Sequence, residues 1–219
     1  MRRFADRQDA GRVLGRALVQ LRDAAEPDER SGWLVLGLPR GGVVVAAEVA
    51  RLLHAPLDVV VVRKLGVPGQ EELAFGAVSA DGERVLNADV VRAARLTDRV
   101  IEEVTAREVA LARRRVSRYR GSSSATSWRG RRVVLVDDGV ATGATLHAAL
   151  QVVVQAAPSR LVVAVPVGPP ALRERLPVEV DDVVVLEQPR DFVAVGQVYE
   201  HFDEVSDDEV ARCLWEAAG

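Results

Sequence analysis

The sequence predicts an α/β fold in which a central, mostly parallel sheet is flanked by helices. Three observations carry this reading. Several short runs have a continuous apolar centre: WLVLGL at 33–38, LDVVVVRKLG at 57–66, VVLV at 133–136 and RLVVAVPVGP at 160–169. Strands covered on both faces look like this, whereas half-solvated strands alternate. Helix-length stretches separate the runs, the rhythm of crossovers that return the chain to a parallel neighbour. Hydrophobic residues make up 48% of the 219 and charged residues 28%, enough for a packed core and a solvated surface.

The elements follow in order. Residues 6–24 read as a helix, with Leu14, Leu18 and Leu21 at helical spacing and Pro27 as its stop. The strand at 33–38 ends in the turn PRGG at 39–42, and VVVAAEVARLL at 43–53 is the following helix, closed by Pro56. The strand at 57–66 carries Arg63 and Lys64 near its close. GVPGQEE at 66–72 reads as a polar loop. LAFGAVS at 73–79 and RVLNA at 84–88 flank Asp81-Gly82 and read as a hairpin. Residues 89–118 form one long charged helical stretch, with nine arginines in 92–120 against five acids in 89–108, read as a solvated face. GSSSATS at 121–127 is a connector.

RRVVLVDDGVATGATLHAALQVVVQ at 131–155 is strand, loop and helix. Strands follow at 160–169 and 182–189. Residues 206–217 form an acidic terminal helix, with Ser206 and Glu209 placed as a capping box. The expected arrangement is one domain over 1–219, with its sheet core at about 31–187.

Composition excludes some functions. The formal net charge of −3 argues against nonspecific coating of nucleic acid. Cys213 is the only cysteine, so no intrachain disulfide or four-thiolate zinc site forms. His54, His147 and His201 are scattered. The charged N-terminal residues lack the apolar stretch of a signal peptide, and no apolar run reaches the ~20 residues of a membrane span. The expectation is a cytoplasmic protein.

The most informative segment is 133–145. An apolar strand ends in Asp137 and Asp138, followed by Gly139 and then Ala141-Thr142-Gly143-Ala144-Thr145. Open parallel sheets bind ligands beyond the carboxyl ends of their strands. A helix starting near Gly143 turns free N–H groups and its positive dipole end toward that loop. This makes a phosphate cradle. Two carboxylates beside it would repel an anion unless the ligand also offers hydroxyls or a divalent cation, and a sugar phosphate fits both demands. The plainer alternative is an Asp-Gly turn with an ordinary helix cap. No GxxxxGK[ST] and no GxGxxG after the first strand is present. Arg40 with Gly41 and Gly42 could hold a second anion, with Arg63 and Lys64 facing the same crevice.

VVLVDDGVATGAT resembles the signature of the type I phosphoribosyltransferases, which bind 5-phosphoribosyl 1-pyrophosphate with magnesium. GLPRGGVVVAAEVA, VVVRKLGVPGQEELAFGAVS and FVAVGQVYEHFDEVSDDEV further resemble a bacterial subgroup whose base substrate is unsettled. The resemblance runs from Phe4 to about Val210. It implies that Asp137 and Asp138 hold the ribose hydroxyls, directly or through magnesium. It implies that Gly139 and Ala141 to Thr145 (Ala141, Thr142, Gly143, Ala144, Thr145) hold the 5-phosphate, and that Arg40, Gly41 and Gly42 form a pyrophosphate loop with a strained peptide. Arg63 and Lys64 fall at pyrophosphate contacts or at the start of a flexible lid within 66–88. The helical insertion is 89–120, and a small hood at 188–202 brings Phe192 and Val193 to the base, where Tyr199 could stack or pack. The family's common Glu-Asp pair is Asp137-Asp138 here. A homodimer is implied, with a small-molecule base or amine as second substrate. The rival reading is a non-catalytic protein that senses the activated ribose and binds nucleic acid through 92–120.

Overall fold

The computed structural model describes residues 3–24, 32–121 and 126–218. The larger sheet holds five strands, β1 (Trp33–Gly37), β2 (Leu57–Val59), β6 (Arg132–Val136), β7 (Arg160–Val167) and β8 (Asp182–Glu187), all parallel in the order β2-β1-β6-β7-β8. The smaller sheet is antiparallel: β3 (Val62–Val67), β4 (Gln70–Ser79) and β5 (Arg84–Leu86). The helices are α1 (Arg7–Asp23), α2 (Gly41–Leu53), α3 (Ala88–Ala93), α4 (Asp98–Arg120), α5 (Ala144–Gln155) and α6 (Asp207–Ala218).

The unbroken apolar runs have the expected cause: successive side chains enter two different cores. Leu34, Leu36, Val133, Leu135, Leu161 and Val163 face α5. Trp33, Val35, Val134, Val136, Val162 and Ala164 face α1 and α2. Gly11 and Gly15 let α1 press onto α2, since a Cβ on Gly11 would lie 2.7 Å from the Val45 carbonyl oxygen.

Three expectations need correction. The run 57–66 is two strands in two sheets, parting after Val59, so that β3 leaves β1 and pairs with β4. The stretch 66–72 is not an extended loop. Pro68 and Gly69 make a tight turn, Val67 pairs with Gln70, and Gly69 takes φ +79°, the conformation a Pro-Gly turn needs. The helix expected over 89–118 breaks around Arg95 and Leu96, and the Thr97 hydroxyl accepts from the Val100 N–H to start α4 afresh. The hairpin across Asp81-Gly82 forms, with Val78 opposite Arg84. Ser206 accepts from the Glu209 N–H at the start of α6. The connector expected at 121–127 lies outside the described residues at 122–125.

α4 is not merely solvated. Ile101 and Val104 pack on the smaller sheet, and Ala112, Val116 and Tyr119 pack with α6 residues Val210 and Leu214. Its arginines are drawn into ion pairs: Arg118 with Asp207 and Asp208, Arg115 with Asp207, and Arg120 with the buried Asp58. Two arginines of the basic segment, Arg115 and Arg118, thus tie it to the acidic terminal helix. Among the described residues no helix is long and apolar enough to cross a membrane.

Candidate active site

The strand order places the site. From β1 the chain passes through α2 to β2 on one side, while β6, β7 and β8 run outward on the other. The order reverses between β1 and β6, so a crevice opens beyond their carboxyl ends. Gly37 and Val136 are level across the pair, and the Leu38 N–H donates to the Val136 carbonyl at 2.9 Å. PRGG leaves one strand and DDG leaves the other, so both motifs enter one crevice.

They touch there. A Cβ on Gly41 would lie 1.9 Å from Asp138 Oδ2, and one on Gly42 would lie 2.8 Å from Asp137 Cα. The two glycines are needed for close approach. The Pro39–Arg40 peptide is cis, one position before the peptides expected to be unusual. The Arg40 guanidinium pairs with Glu204.

Asp137 is partly buried, and its Oδ1 accepts the Asp138 N–H at 2.9 Å. Burial first, and the neighbouring Asp138 charge second, push its carboxyl well above the ordinary carboxylate range. Asp138 is held at both ends. Its Oδ2 accepts from Arg7 Nε at 2.7 Å, and its carbonyl accepts from the Tyr199 hydroxyl at 2.6 Å. Burial, with the Asp138 charge, pushes the Tyr199 phenol up, so it stays a donor at neutral pH.

Six residues after Asp138, α5 begins at Ala144, with Gly143 at its N-cap at φ +79°. Ala141, Thr142, Ala144 and Thr145 are exposed. Among the described residues no hydrogen bond engages a backbone N–H of 141–145. These amides and the helix dipole can take an anion. The loop is braced from behind: Gly139 lies so close to Val167 and Val195 that a Cβ would sit 2.7 and 2.5 Å from them. The His147 imidazole rests against Gly143, and burial lowers its pKa.

A family model, described as the phosphoribosyl transferase domain, matches residues 3–203. The chain belongs to the phosphoribosyltransferase family. It is 49% identical over 214 residues to two provisionally named phosphoribosyl transferases of Mycobacterium tuberculosis, one from each of two strains. That match covers 98% of this chain but 47% of the relatives, so the chain spans about half their length. The crystal structure of TT1426 from Thermus thermophilus is similar over 100% of both chains, at 50% identity and a TM-score of 0.84.

Within this member of the family, the residues singled out from sequence divide into two groups. The crevice gathers Arg40, Gly41, Gly42, Asp137, Asp138 and the 139–145 loop. Lys64 joins them indirectly: it is exposed on β3 and lines, with Ala144 and His147, a cavity of about 250 Å³ between the smaller sheet and α5. Its neighbour Arg63 turns to α4, where Nε donates to the buried Glu108 at 2.8 Å. Neighbouring strand residues point to opposite faces, so the structure does not bring the two cations together. Phe192 packs against a core of Phe4, Val167, Val198 and Tyr199, while Val193 is 79% exposed.

Sequence reasoning misses Arg7 and Phe202, and it misses the bond that Tyr199 makes. No local pattern marks Arg7, one of 28 arginines. The donor set is too small to hold a metal ion by itself. Among the described residues no cluster of three His, Cys, Asp or Glu side chains could hold a metal ion. Two adjacent carboxylates supply hard oxygen donors for a cation whose remaining ligands are water and ligand oxygens, the ordinary magnesium arrangement.

Proposed function

We propose that the chain is a magnesium-dependent phosphoribosyltransferase, which joins the ribose of 5-phosphoribosyl 1-pyrophosphate to a nitrogenous base or amine and releases pyrophosphate. One observation supports this reading: PRGG and the start of DDGVATGAT meet at the β1/β6 switch point, where Gly41 and Gly42 lie against Asp138 and Asp137, and the amides that follow in 141–145 carry no hydrogen bond among the described residues. The amides of 142–145 and the hydroxyls of Thr142 and Thr145 bind the 5-phosphate. Asp137 and Asp138 accept hydrogen bonds from the ribose hydroxyls. The PRGG amides and Arg40 bind the pyrophosphate, with Lys64 at the margin.

The nucleophile's nitrogen lone pair bonds C1 as the C1–O bond to pyrophosphate breaks, and the bonding electrons leave with the pyrophosphate. The nitrogen's proton passes to solvent. Positive charge grows on the ribose ring in the transition state, where the two carboxylates stabilise it. Asp137 and Asp138 would hold magnesium through water or the ribose hydroxyls, and the ion would supply positive charge to the leaving group. The β3–β5 region at 66–88 acts as lid, and 188–202 as hood. The protein works as a homodimer in the cytoplasm.

The pairing of α4 arginines with α6 and Asp58 speaks against the nucleic-acid reading of 92–120. The test is a pyrophosphate-release screen with magnesium and the activated ribose across purines, pyrimidines and other amines. Release that depends on one acceptor supports the proposal. No binding of the activated ribose would end it.

A further inference from the structure

We infer that Arg7 is a positioning residue that fixes Asp138 for the ribose, an assignment that rests on the phosphoribosyltransferase reading above. Arg7 opens α1, 131 positions before Asp138, and its side chain is only 12% exposed. Three contacts hold it. Nε donates to Asp138 Oδ2 at 2.7 Å, Nη1 donates to the Asp203 carbonyl at 2.8 Å, and the guanidinium centre lies 3.9 Å from the Phe202 ring centroid. Phe202 stacks on Tyr199 at 4.9 Å. The Tyr199 hydroxyl then returns to the Asp138 carbonyl. The contacts form a closed circuit that grips both the side chain and the main chain of one residue.

The circuit sits in the wall of the crevice, because a Cβ on Gly41 would lie 2.6 Å from Arg7 Nε. Arg7 donates to Asp138 Oδ2, the oxygen that lies against Gly41, and so fixes how the carboxylate is turned. A planar guanidinium suits this role: its edge donates in two directions while its face lies on an aromatic ring. A lysine has a point charge and no plane. A carboxylate held in this way reaches the ligand without first being ordered, which lowers the cost of binding.

The test is calorimetric titration of the full chain with three probes in magnesium: 5-phosphoribosyl 1-pyrophosphate, ribose 5-phosphate and inorganic pyrophosphate. In Arg7→Met, affinity for both ribose-bearing probes should fall by about tenfold or more, the scale of a charged hydrogen bond. Pyrophosphate affinity should change much less. Phe202→Leu keeps the charge and removes the stacking plane, so it should show the same split more weakly, and it decides the matter if Arg7→Met fails to fold. Arg7→Lys should recover only part of the loss. An equal loss for all three probes would reduce Arg7 to a general cation and overturn the inference, as would unchanged affinities. If the unaltered protein binds none of the probes, the phosphoribosyltransferase reading itself falls, and this assignment with it.

Discussion

Gly41 and Asp138 meet across the crevice with no room for a single extra carbon: a Cβ on Gly41 would stand 1.9 Å from Asp138 Oδ2. Gly41→Ala must therefore displace the carboxylate or the turn. The expected cost is about 1–3 kcal/mol of stability, the range for overpacking, with loss of ribose 5-phosphate binding. Thermal melting and calorimetry on the same preparation check both.

Glu204 competes with any anion for Arg40. The pair is solvent-facing, with the Glu204 side chain 79% exposed, so its strength is small. Glu204→Gln frees the guanidinium and should raise affinity for inorganic pyrophosphate by roughly two- to fivefold, in line with the modest worth of exposed pairs. Titration with pyrophosphate at low and moderate salt measures this, and the gain should shrink as salt rises.

Asp58 and Arg120 tie the start of the sheet to the end of α4. The two side chains are 5% and 10% exposed and share two hydrogen bonds of 2.8 and 2.9 Å. Asp58→Ala strands a buried guanidinium, which should cost about 3–5 kcal/mol. Urea denaturation of the two proteins gives the difference.

Asp207 ionises below its ordinary range, first because Tyr119 donates to it and then because Arg115 and Arg118 lie near. A carboxylate whose folded pKa is lowered binds fewer protons in the folded state than in the unfolded state over the interval between the two values. Its stabilisation is thus present above the unfolded value of about 3.9 and lost as pH falls through the folded one. Asp207→Asn should be less stable at pH 7 and should show a shallower loss of stability in acid. Urea midpoints measured from neutral pH into the acid limb test it.

Much of this architecture was legible because it is local. The buried strands show as unbroken apolar runs, and both glycine turns sit where such strands end. The helix break was missed although a local signal marks it: Thr97-Asp98 is an N-cap followed by a first-turn acid, and the charge of 89–118 concealed it. The division of 57–66 left no mark, since Val59 to Val62 are identical residues and only sheet pairing separates them. Arg63 and Lys64 looked equivalent because neighbouring residues share a position but not a face. The Arg7 circuit was beyond reach. It joins residues 131 and 61 positions apart, and neither end carries a signal that names the other.

The central claim is that two carboxylates and one helix start grip a single phosphorylated ribose. A crystal structure of the protein with ribose 5-phosphate and magnesium tests it most directly. The phosphate should lie on the amides of 142–145 and the ring hydroxyls at Asp137 and Asp138. Density for the sugar elsewhere, with those amides bound only to water at saturating ligand, would contradict it.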